Sequence, residues 1–360
     1  MNFNLSDDQR MLQDSVDRLI ANRCQFEQRV AYNREPKGWS DSIWMEFVDL
    51  GLTMLPFPEQ VGGLGLGSVE MMLVGEAFGR GLVAEPYLPS IVLAGTAIAY
   101  GAGNRAGALL EPIMGGQTIG AFADDAQVVL ADGRLSGVAS VVLGGDCADL
   151  FVIPVGHGAF VVPADAPGLT RRGYRIHGGG GAADLVLHEV PVDLANRLSD
   201  GCNARAREAG IAFIASDAAG AMDAALRLTV EYLKTREQFG KPIGANQALQ
   251  HRAAEMLVEV EQAKSAAIYA ATLATEEDEA ERAKGFAAVK AVIGKAGRFV
   301  AQSAVQLHGG IGVSEEHVIS HWFRRLTAMS MVLGDAQVHL KRLADMGGFG
   351  STPIQAADRT

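Results

Sequence analysis

The sequence predicts a multi-domain α+β protein with an N-terminal helical domain, a middle antiparallel β domain and a C-terminal four-helix bundle. Two changes of composition along the 360 residues indicate this order. Apolar residues recur at helical spacing up to residue 119, and short β-branched runs between Gly, Asp and Pro follow up to residue 198. Beyond these runs the chain is rich in Ala and poor in helix breakers. The predicted domains are therefore 1–119, 120–198 and 199–346, followed by a polar tail at 347–360.

The N-terminal domain is predicted to be helical from its first residues. Ser6 precedes two acids and can cap a helix whose apolar positions run from Met11 to Ile20 at helical spacing. A second amphipathic run covers 42–50, and the Pro- and Gly-rich stretch 56–67 indicates a loop. Further helices are predicted at 69–78, 89–100 and 106–113.

The middle region predicts short strands in a shortened β domain. Their spacing and the turn residues between them favour a small antiparallel sheet or barrel. The run of glycines at 178–181 is typical of a turn. The predicted strands are 128–130, 138–143, 150–155, 159–162 and 185–190.

The C-terminal region predicts an antiparallel bundle. Four stretches have few breakers and short connections: 205–234, 246–275, 279–308 and 315–346. The segments 212–233 and 286–307 are apolar on more than one side, which predicts an oligomer with helices buried between subunits.

Composition excludes several classes of protein. Hydrophobic residues make up 48% of the chain and charged residues 20%, which is typical of a folded globular protein. The formal net charge of −11 gives no attraction to phosphate backbones, so no nucleic-acid partner is expected.

Targeting and disulfide signals are equally sparse. The three cysteines, Cys24, Cys147 and Cys202, are too scattered for a disulfide framework or a zinc cluster and fit a cytoplasmic location. We expect no signal peptide and no membrane span, since the uncharged stretch 86–104 is interrupted by prolines and glycines.

Two segments of the bundle carry chemistry. Residues 236–247 interrupt two helices with an Arg, a Phe, a Gly-Lys-Pro turn and a Gln, and residues 306–312 read Gln-Leu-His-Gly-Gly-Ile-Gly. Glycines let a ligand approach the backbone closely, and free N–H groups and a forked guanidinium suit phosphate oxygens. From chemistry alone, both segments could equally be ordinary turns between helices.

Other motifs carry less weight. The glycines at 62–67 do not fit a dinucleotide-binding fingerprint, because no strand precedes them. His317 and His321 have metal-ligand spacing on a predicted helix, but no third ligand is evident, so no metal is expected. No serine lies in a nucleophile elbow.

Over nearly its whole length the sequence resembles the acyl-CoA dehydrogenases. The resemblance is carried most specifically by residues 236–247 and 306–312, whose spacing to Arg324 and Gly334 fits without a gap. The start of the chain, with Leu-Ser-Asp-Asp-Gln at 5–9, and the Glu-Ala-Phe-Gly-Arg segment at 76–80 are also similar to the family.

This resemblance implies an FAD enzyme. In the family, FAD takes a hydride from Cβ of an acyl-CoA thioester while a glutamate removes the α-proton, and an electron-transfer protein accepts the electrons. The cofactor lies across a dimer interface, with its ADP moiety held by the neighbour's bundle. By this resemblance the FAD-binding residues are Arg236, Gln238, Phe239, Gln247, Gln306, Leu307, Gly309 and Gly310.

The sequence departs from the family at the reacting centre. Counting from Gln306, the usual position of the catalytic glutamate falls on Leu333, and the alternative position, counted back from Arg236, falls on Gly210. Neither residue can take a proton, so no catalytic residue is assigned. The family's flavin-ring motifs are also missing from 121–126 and 140–146.

This asymmetry suggests a non-catalytic subunit. The chain is similar to subunits of heteromeric bacterial dehydrogenases that act on steroid side-chain thioesters, which are α2β2 assemblies, and it would lend its bundle to the FAD of a homologous catalytic partner. Two alternatives stay open. One is a self-sufficient FAD enzyme with a relocated base, and the other is a non-enzymatic scaffold that has kept the fold.

Overall fold

The computed structural model describes residues 4–348 and confirms the order of helices, then strands, then helices. The predicted tail at 347–360 lies outside the described residues from 349 onward. The N-terminal helices are α1 (Asp7–Arg23), α2 (Phe26–Asn33), α3 (Asp41–Asp49), α4 (Ser68–Gly81), α5 (Thr96–Gly101) and α6 (Ala106–Met114).

Helix α1 begins where the sequence predicts. The Ser6 side chain accepts a hydrogen bond from the Gln9 N–H at 3.1 Å, and the Gln9 side chain accepts one from the Ser6 N–H at 2.9 Å. This reciprocal cap satisfies two N–H groups that the helix leaves free. Helix α2 was not predicted from the sequence, because it has only eight residues and its one buried residue is the charged Arg29.

The stretch 86–104 is a buried helical segment, as expected. A π-helical segment, Leu88–Gly95, is buried along its whole length and runs directly into α5. Among the described residues one helix, Cys202–Thr235, is long and apolar enough to cross a membrane, but 89% of its most apolar window is buried inside the protein.

The middle strands form two four-stranded sheets. One has the order β1-β4-β5-β8 and the other β2-β3-β7-β6, and they enclose a separate small apolar core. The strands are β1 (Gly120–Phe122), β2 (Ala126–Ala131), β3 (Arg134–Leu143), β4 (Leu150–Val155), β5 (Gly158–Pro163), β6 (Leu169–Arg175), β7 (Gly181–Pro191) and β8 (Arg197–Leu198).

Three strands, β1, β6 and β8, were not predicted from the sequence, and one pairing is parallel rather than antiparallel. β1 pairs with β4 in parallel, although the other ladders of the two sheets are antiparallel. β1 and β8 are only three and two residues long, and β6 is an exposed edge strand with three arginines. Strands that short, or that polar, carry no apolar alternation to read.

The C-terminal helices are α7 (Cys202–Thr235), α8 (Gln247–Leu273), α9 (Glu279–His308), α10 (Val318–Met331) and α11 (Ala336–Asp345). The prediction of one helix over 315–346 is wrong, because α10 ends at Met331 and the loop that follows contains Leu333 and Gly334 with φ angles of 59° and 95°. Asp335 then caps α11, with its side chain accepting from the Val338 N–H at 2.9 Å.

Helix α7 joins the bundle to the N-terminal domain. It packs closely on α4, where a Cβ added at Gly79 would lie 1.7 Å from the backbone oxygen of Asp217. The Asp217 carboxylate is buried and pairs with Arg325 of α10, whose Nε lies 3.0 Å away. Helices of its own chain therefore bury α7, so the all-round apolar character of 212–233 does not by itself require a partner subunit.

Candidate cofactor site

The segment 236–247 forms an ordered β-hairpin rather than a plain turn. β9 (Glu237–Gln238) pairs with β10 (Lys241–Pro242), and Phe239 and Gly240 form the tip with φ angles of 54° and 77°. The Ile243 N–H donates to the Arg236 backbone oxygen at 2.8 Å and closes the hairpin on the end of α7. The Gly at position 240 suits the left-handed conformation that the tip requires.

The segment 306–312 contains glycines with two different roles. A Cβ at Gly312 would lie 2.8 Å from the Val305 backbone oxygen, so this glycine allows close packing. A Cβ at Gly309 or Gly310 would meet no atom within 4 Å. The backbone at Gly309 and Gly310 is therefore open to a ligand.

Stacked aromatic rings bring the two segments to the same end of the bundle. The Tyr232 and His308 rings stack with centroids 4.4 Å apart and an interplanar angle of 23°. Tyr232 lies one turn before Arg236, whose N–H donates to the Tyr232 backbone oxygen at 2.8 Å. Sequence reasoning missed this contact, although His308 lies inside the glycine motif.

The site residues predicted from the sequence divide into exposed and buried side chains. Leu307 is only 7% exposed and packs in the main apolar core. Phe239 is 100% exposed at the hairpin tip. The remaining polar side chains are exposed and have no ion pair or hydrogen bond within residues 4–348: Arg236, Gln238, Gln247 and Gln306.

His308 leaves one further polar atom unpaired. Its Nδ1 lies 2.8 Å from the Ala304 backbone oxygen and must donate to it, while the buried Nε2 has no partner in the described part of the chain. Burial lowers the pKa of His308, so the ring is neutral and Nε2 is an acceptor.

The groups at this end of the bundle together suit an ADP moiety. Guanidinium, amide and glycine N–H donors can bind its phosphates, and an aromatic wall can contact its ring.

The two family positions for the catalytic base meet in space. A Cβ at Gly210 would lie 2.6 Å from Leu333 Cδ1 and 2.6 Å from Leu93 Cδ2. Leu333 and Leu93 are 8% and 1% exposed, so the place where a carboxylate would be expected holds packed leucine side chains. Sequence counting located Leu333 and Gly210, but it did not reveal their contact or the contribution of Leu93.

Glu208, two residues from Gly210, serves another role. Its Oε2 accepts from Arg282 Nε at 2.8 Å, and Arg205 Nη1 lies 3.5 Å away. This ion-paired carboxylate lies on a different side of α7 from Gly210, because residues two apart on a helix point in different directions.

The β domain is tied directly to α7 near the same region. Arg207 of α7 pairs with the Asp124 carboxylate and donates to the Asp124 backbone oxygen at 2.8 Å. Ala121 and Ala123 lie in the stretch where the family's flavin-ring motif would be expected. Their methyl side chains are fully buried and offer no polar group to a flavin ring.

A small cavity of about 60 Å³ lies between the N-terminal domain, the β domain and α10. Glu85 and Asp146 are among its lining residues. Burial raises the pKa of both carboxyl groups. The Glu85 carboxylate accepts from the Ser40 and Ala84 N–H groups, each at 3.2 Å.

The histidine pair at 317 and 321 is used structurally. His317 caps α10, and His321 Nδ1 accepts from Arg29 at 2.7 Å while Nε2 donates to the Glu315 backbone oxygen at 2.9 Å. Both His321 nitrogens are thus occupied. Within the described residues no group of three His, Cys, Asp or Glu side chains is placed to hold a metal ion.

Both helical regions of the chain match a known protein family. Residues 6–117 match the acyl-CoA dehydrogenase N-terminal domain, and residues 211–347 match the acyl-CoA dehydrogenase C-terminal domain. Together the two matches span more than half of the chain.

Relatives match over nearly the full length of the chain. The chain is 29% identical to the acyl-CoA dehydrogenase FadE27 of Mycobacterium tuberculosis, covering 95% of this chain and 98% of the relative. It superposes on a chain of the ChsE4–ChsE5 complex of Mycobacterium tuberculosis with a TM-score of 0.89 and 27% identity, covering 98% and 100% of the two chains. The Tcur3481–Tcur3483 steroid dehydrogenase (G363A variant) gives a TM-score of 0.88 at 28% identity, covering 94% and 97%.

Proposed function

Because this chain belongs to the acyl-CoA dehydrogenase family, we propose that it takes part in the α,β-dehydrogenation of an acyl-CoA thioester as the subunit that lends ADP-moiety contacts to the FAD of a catalytic partner. One observation carries the proposal. The polar groups at the end of the bundle are exposed and unpaired, whereas packed leucines occupy the position of the base.

The residues of this chain fit one half of the cofactor. FAD, when bound, supplies the acceptor for the hydride that leaves Cβ of the thioester. Arg236 would hold the pyrophosphate, the Gly309 and Gly310 N–H groups would approach the ADP part, and Phe239 would form an apolar wall. All of these lie on the outside of this chain, where a cofactor seated on another subunit can reach them.

The proton step must then belong to the partner. A carboxylate near the thioester is required to remove the α-proton, and positioned bases contribute roughly 10²–10⁴-fold to such steps. Leu333 and Gly210 cannot supply one. In the assembly this chain binds and orients the ADP part of FAD, and the homologous catalytic subunit holds the base.

The comparisons support a mixed assembly of this kind. Two solved relatives are named as pairs of proteins, the ChsE4–ChsE5 complex and the Tcur3481–Tcur3483 steroid dehydrogenase. We extend this to an α2β2 assembly in the cytoplasm that acts on a bulky, steroid-type acyl-CoA and passes electrons to an electron-transfer protein. Helix α8 offers apolar surface for such contacts, with Leu257 and Val258 49% and 55% exposed.

A self-sufficient enzyme is the second candidate. The observation that favours it is Glu85, a buried carboxyl with a raised pKa that lines the small cavity between the domains. Two backbone N–H groups already bind that carboxylate, which points to a structural role. A scaffold that has lost flavin altogether is the remaining alternative.

Flavin content separates the three. The purified chain is measured alone and after co-expression with a homologous subunit that has a catalytic glutamate. We expect little flavin alone, and flavin together with acyl-CoA oxidation in the complex. One flavin per isolated chain, with turnover lost on Glu85→Gln, would establish the self-sufficient enzyme. No flavin with any partner would establish the scaffold.

A further inference from the structure

A cleft of about 500 Å³ lies between three parts of the chain, away from the candidate cofactor site. Its walls are α2, the loop between β6 and β7, and the segment that leads into α10. The hairpin at 236–247 and the glycines at 309 and 310 do not line it. The cleft is large enough for a small organic molecule, since ligand pockets have volumes of roughly 300–1,000 Å³.

Arginine side chains line the cleft from all three walls. They belong to α2 and its end, to the last residue of β6 and to α10: Arg29, Arg34, Arg175 and Arg324. Arg34 is exposed and has no ion pair or side-chain hydrogen bond within residues 4–348. The exposed Arg175 donates to the Lys37 backbone oxygen. A guanidinium has five N–H donors, so both side chains have donors left for a ligand.

Arg29 is a buried cation without a paired carboxylate. It is 5% exposed, and its guanidinium lies 2.9 Å from the Leu82 backbone oxygen and 2.7 Å from His321 Nδ1. No carboxylate forms an ion pair with it in the described part of the chain. Burial, with the nearby charges of Arg325 and Arg324, lowers the pKa of Arg29 to about 10. Because a buried charge is costly without a counter-charge, this arginine favours an anion in the cleft beside it.

The acids of the cleft are more exposed than the arginine beneath them. Three glutamates line the cleft, and all are exposed: Glu27, Glu315 and Glu316. Glu315 pairs with Arg324 at 2.7 Å, but the Glu315 side chain is 81% exposed, against 24% for Arg324. Water and salt screen exposed charges more than buried ones, so positive charge dominates inside the cleft.

An apolar surface lies beside these charges. Phe26 and Val30 of α2 and Ile176 of the loop after β6 are half-buried and line the cleft. The Phe26 ring is fixed edge-on against the His321 ring, with centroids 4.9 Å apart. A planar ring of a ligand can pack on such a surface.

The number of arginines favours a phosphate over a carboxylate. A phosphate monoester carries about −1.5 to −2 charges and three acceptor oxygens, so it can bind guanidinium groups from several directions at once. A carboxylate has one charge and two oxygens, which a single arginine can satisfy.

We infer that this cleft binds a phosphate monoester that carries an aromatic ring, with its phosphate among Arg34, Arg175 and Arg324 and its ring against Phe26. The site does not use FAD, the hairpin at 236–247 or a partner subunit. It is independent of the proposed function, and either can fail without the other.

Isothermal titration of the full chain with phenyl phosphate tests the site, with inorganic phosphate and benzyl alcohol as matched probes. We expect one saturable site for phenyl phosphate. Each control should bind at least about tenfold more weakly, because one lacks the ring and the other lacks the charge-assisted hydrogen bonds. AMP and phosphotyrosine share the chemistry of phenyl phosphate, and the tighter of the two identifies the source of the natural ligand.

Substitutions locate the binding. Arg34→Ala and Arg175→Gln should each weaken binding of phenyl phosphate about tenfold, whereas Arg34→Lys should retain most of it. Arg172→Ala is the matched control, since it removes an exposed arginine of the same strand that does not line the cleft. Arg236→Ala should also leave binding unchanged, which separates this cleft from the cofactor site.

Three results would overturn the inference. They are no saturable binding to the unmodified chain, equal binding by Arg34→Ala, and loss of binding in Arg236→Ala. If Arg175→Gln does not fold, the Arg34 variants still decide the question, because Arg34 is exposed and holds no other part of the described chain.

Discussion

Arg236 is the single side chain on which the shared-cofactor proposal depends most. It is exposed and forms no ion pair within residues 4–348, and Glu237 next to it is not its partner. A guanidinium held unpaired beside open glycine backbone has little to do for the stability of this chain, because exposed charges contribute about 0–1 kcal/mol.

We therefore predict that Arg236→Ala lowers FAD retention in the assembled complex by about tenfold or more, because charge-assisted hydrogen bonds contribute roughly 1.5–3 kcal/mol each. The apo chain should unfold at an unchanged temperature. Flavin per complex and thermal denaturation without FAD are the two measurements. Lys234→Ala, which removes a nearby lysine paired with Glu231 at 2.8 Å, is the control and should retain flavin. Unchanged flavin in Arg236→Ala would contradict the assignment of this site.

Leu333 and Gly210 leave this chain without a base at either family position for the catalytic glutamate. Restoring a carboxylate at position 333 should not create an active isolated chain, because the flavin-ring motifs of the β domain are also missing. We predict no acyl-CoA oxidation by Leu333→Glu and a loss of roughly 2–4 kcal/mol of stability, since the carboxylate would be buried against Leu93. Turnover with an artificial electron acceptor and urea denaturation measure both, with Leu333→Met as the control. Full activity of Leu333→Glu would show that the β domain still seats a flavin.

At the scale of elements, the break between α10 and α11 depends on a lysine of another helix. Lys290 of α9 is fully buried and donates from Nζ to the backbone oxygens of Met329, Ser330 and Gly334 at 3.2, 2.9 and 2.9 Å. The Met329 and Ser330 carbonyls are among those that the end of α10 leaves without helical partners, and Gly334 lies in the loop that follows. The lysine thus holds the loop in which Leu333 adopts its positive φ.

Lys290→Met should therefore destabilise the fold by about 2–4 kcal/mol, because it keeps the apolar stem but leaves the buried Met329 and Ser330 carbonyls and the half-buried Gly334 carbonyl without their donor. Chemical denaturation measures the change. Lys295→Met on the same helix, where the lysine is exposed, should cost less than about 0.5 kcal/mol. Equal effects of the two substitutions would mean that the loop does not depend on this cap.

At the scale of the whole molecule, four histidines couple stability to pH. Burial lowers the pKa of His308, His317, His321 and His339 in the folded chain. Below the unfolded pKa of about 6.5 the unfolded state binds more protons, so stability rises with pH in this range and falls on acidification. Burial raises the pKa of the Glu76, Glu85 and Asp146 carboxyl groups, so these groups act in the opposite sense above their unfolded pKa of about 4.

We predict that the contribution of these histidines to the free energy of unfolding falls between pH 7 and pH 5, with a slope of up to about 1.4 kcal/mol per pH unit for each histidine that titrates fully. His308→Phe retains a ring against Tyr232 and removes the titrating group, so it should reduce the slope. Denaturation at three pH values compares the two proteins. An identical slope in His308→Phe would show that folding does not change the pKa of His308.

The sequence by itself determined the order of the helical and β regions, the family, and the residues of both bundle motifs. These features are local: helical periodicity, breaker residues and glycine spacing act over a few neighbouring positions. The same reasoning identified Gly210 and Leu333 as positions without a base, because residue type alone excludes proton transfer there.

Only the tertiary structure decided how distant residues meet. The Tyr232–His308 stack, the contact of Gly210 with Leu333 and Leu93, and the end of α10 under Lys290 join positions far apart in sequence. The same is true of the cavity of about 480 Å³ beside Arg205, which lies between the N-terminal helices and the C-terminal bundle. Packing geometry is not encoded in any local pattern, since each of these contacts depends on the relative placement of whole helices.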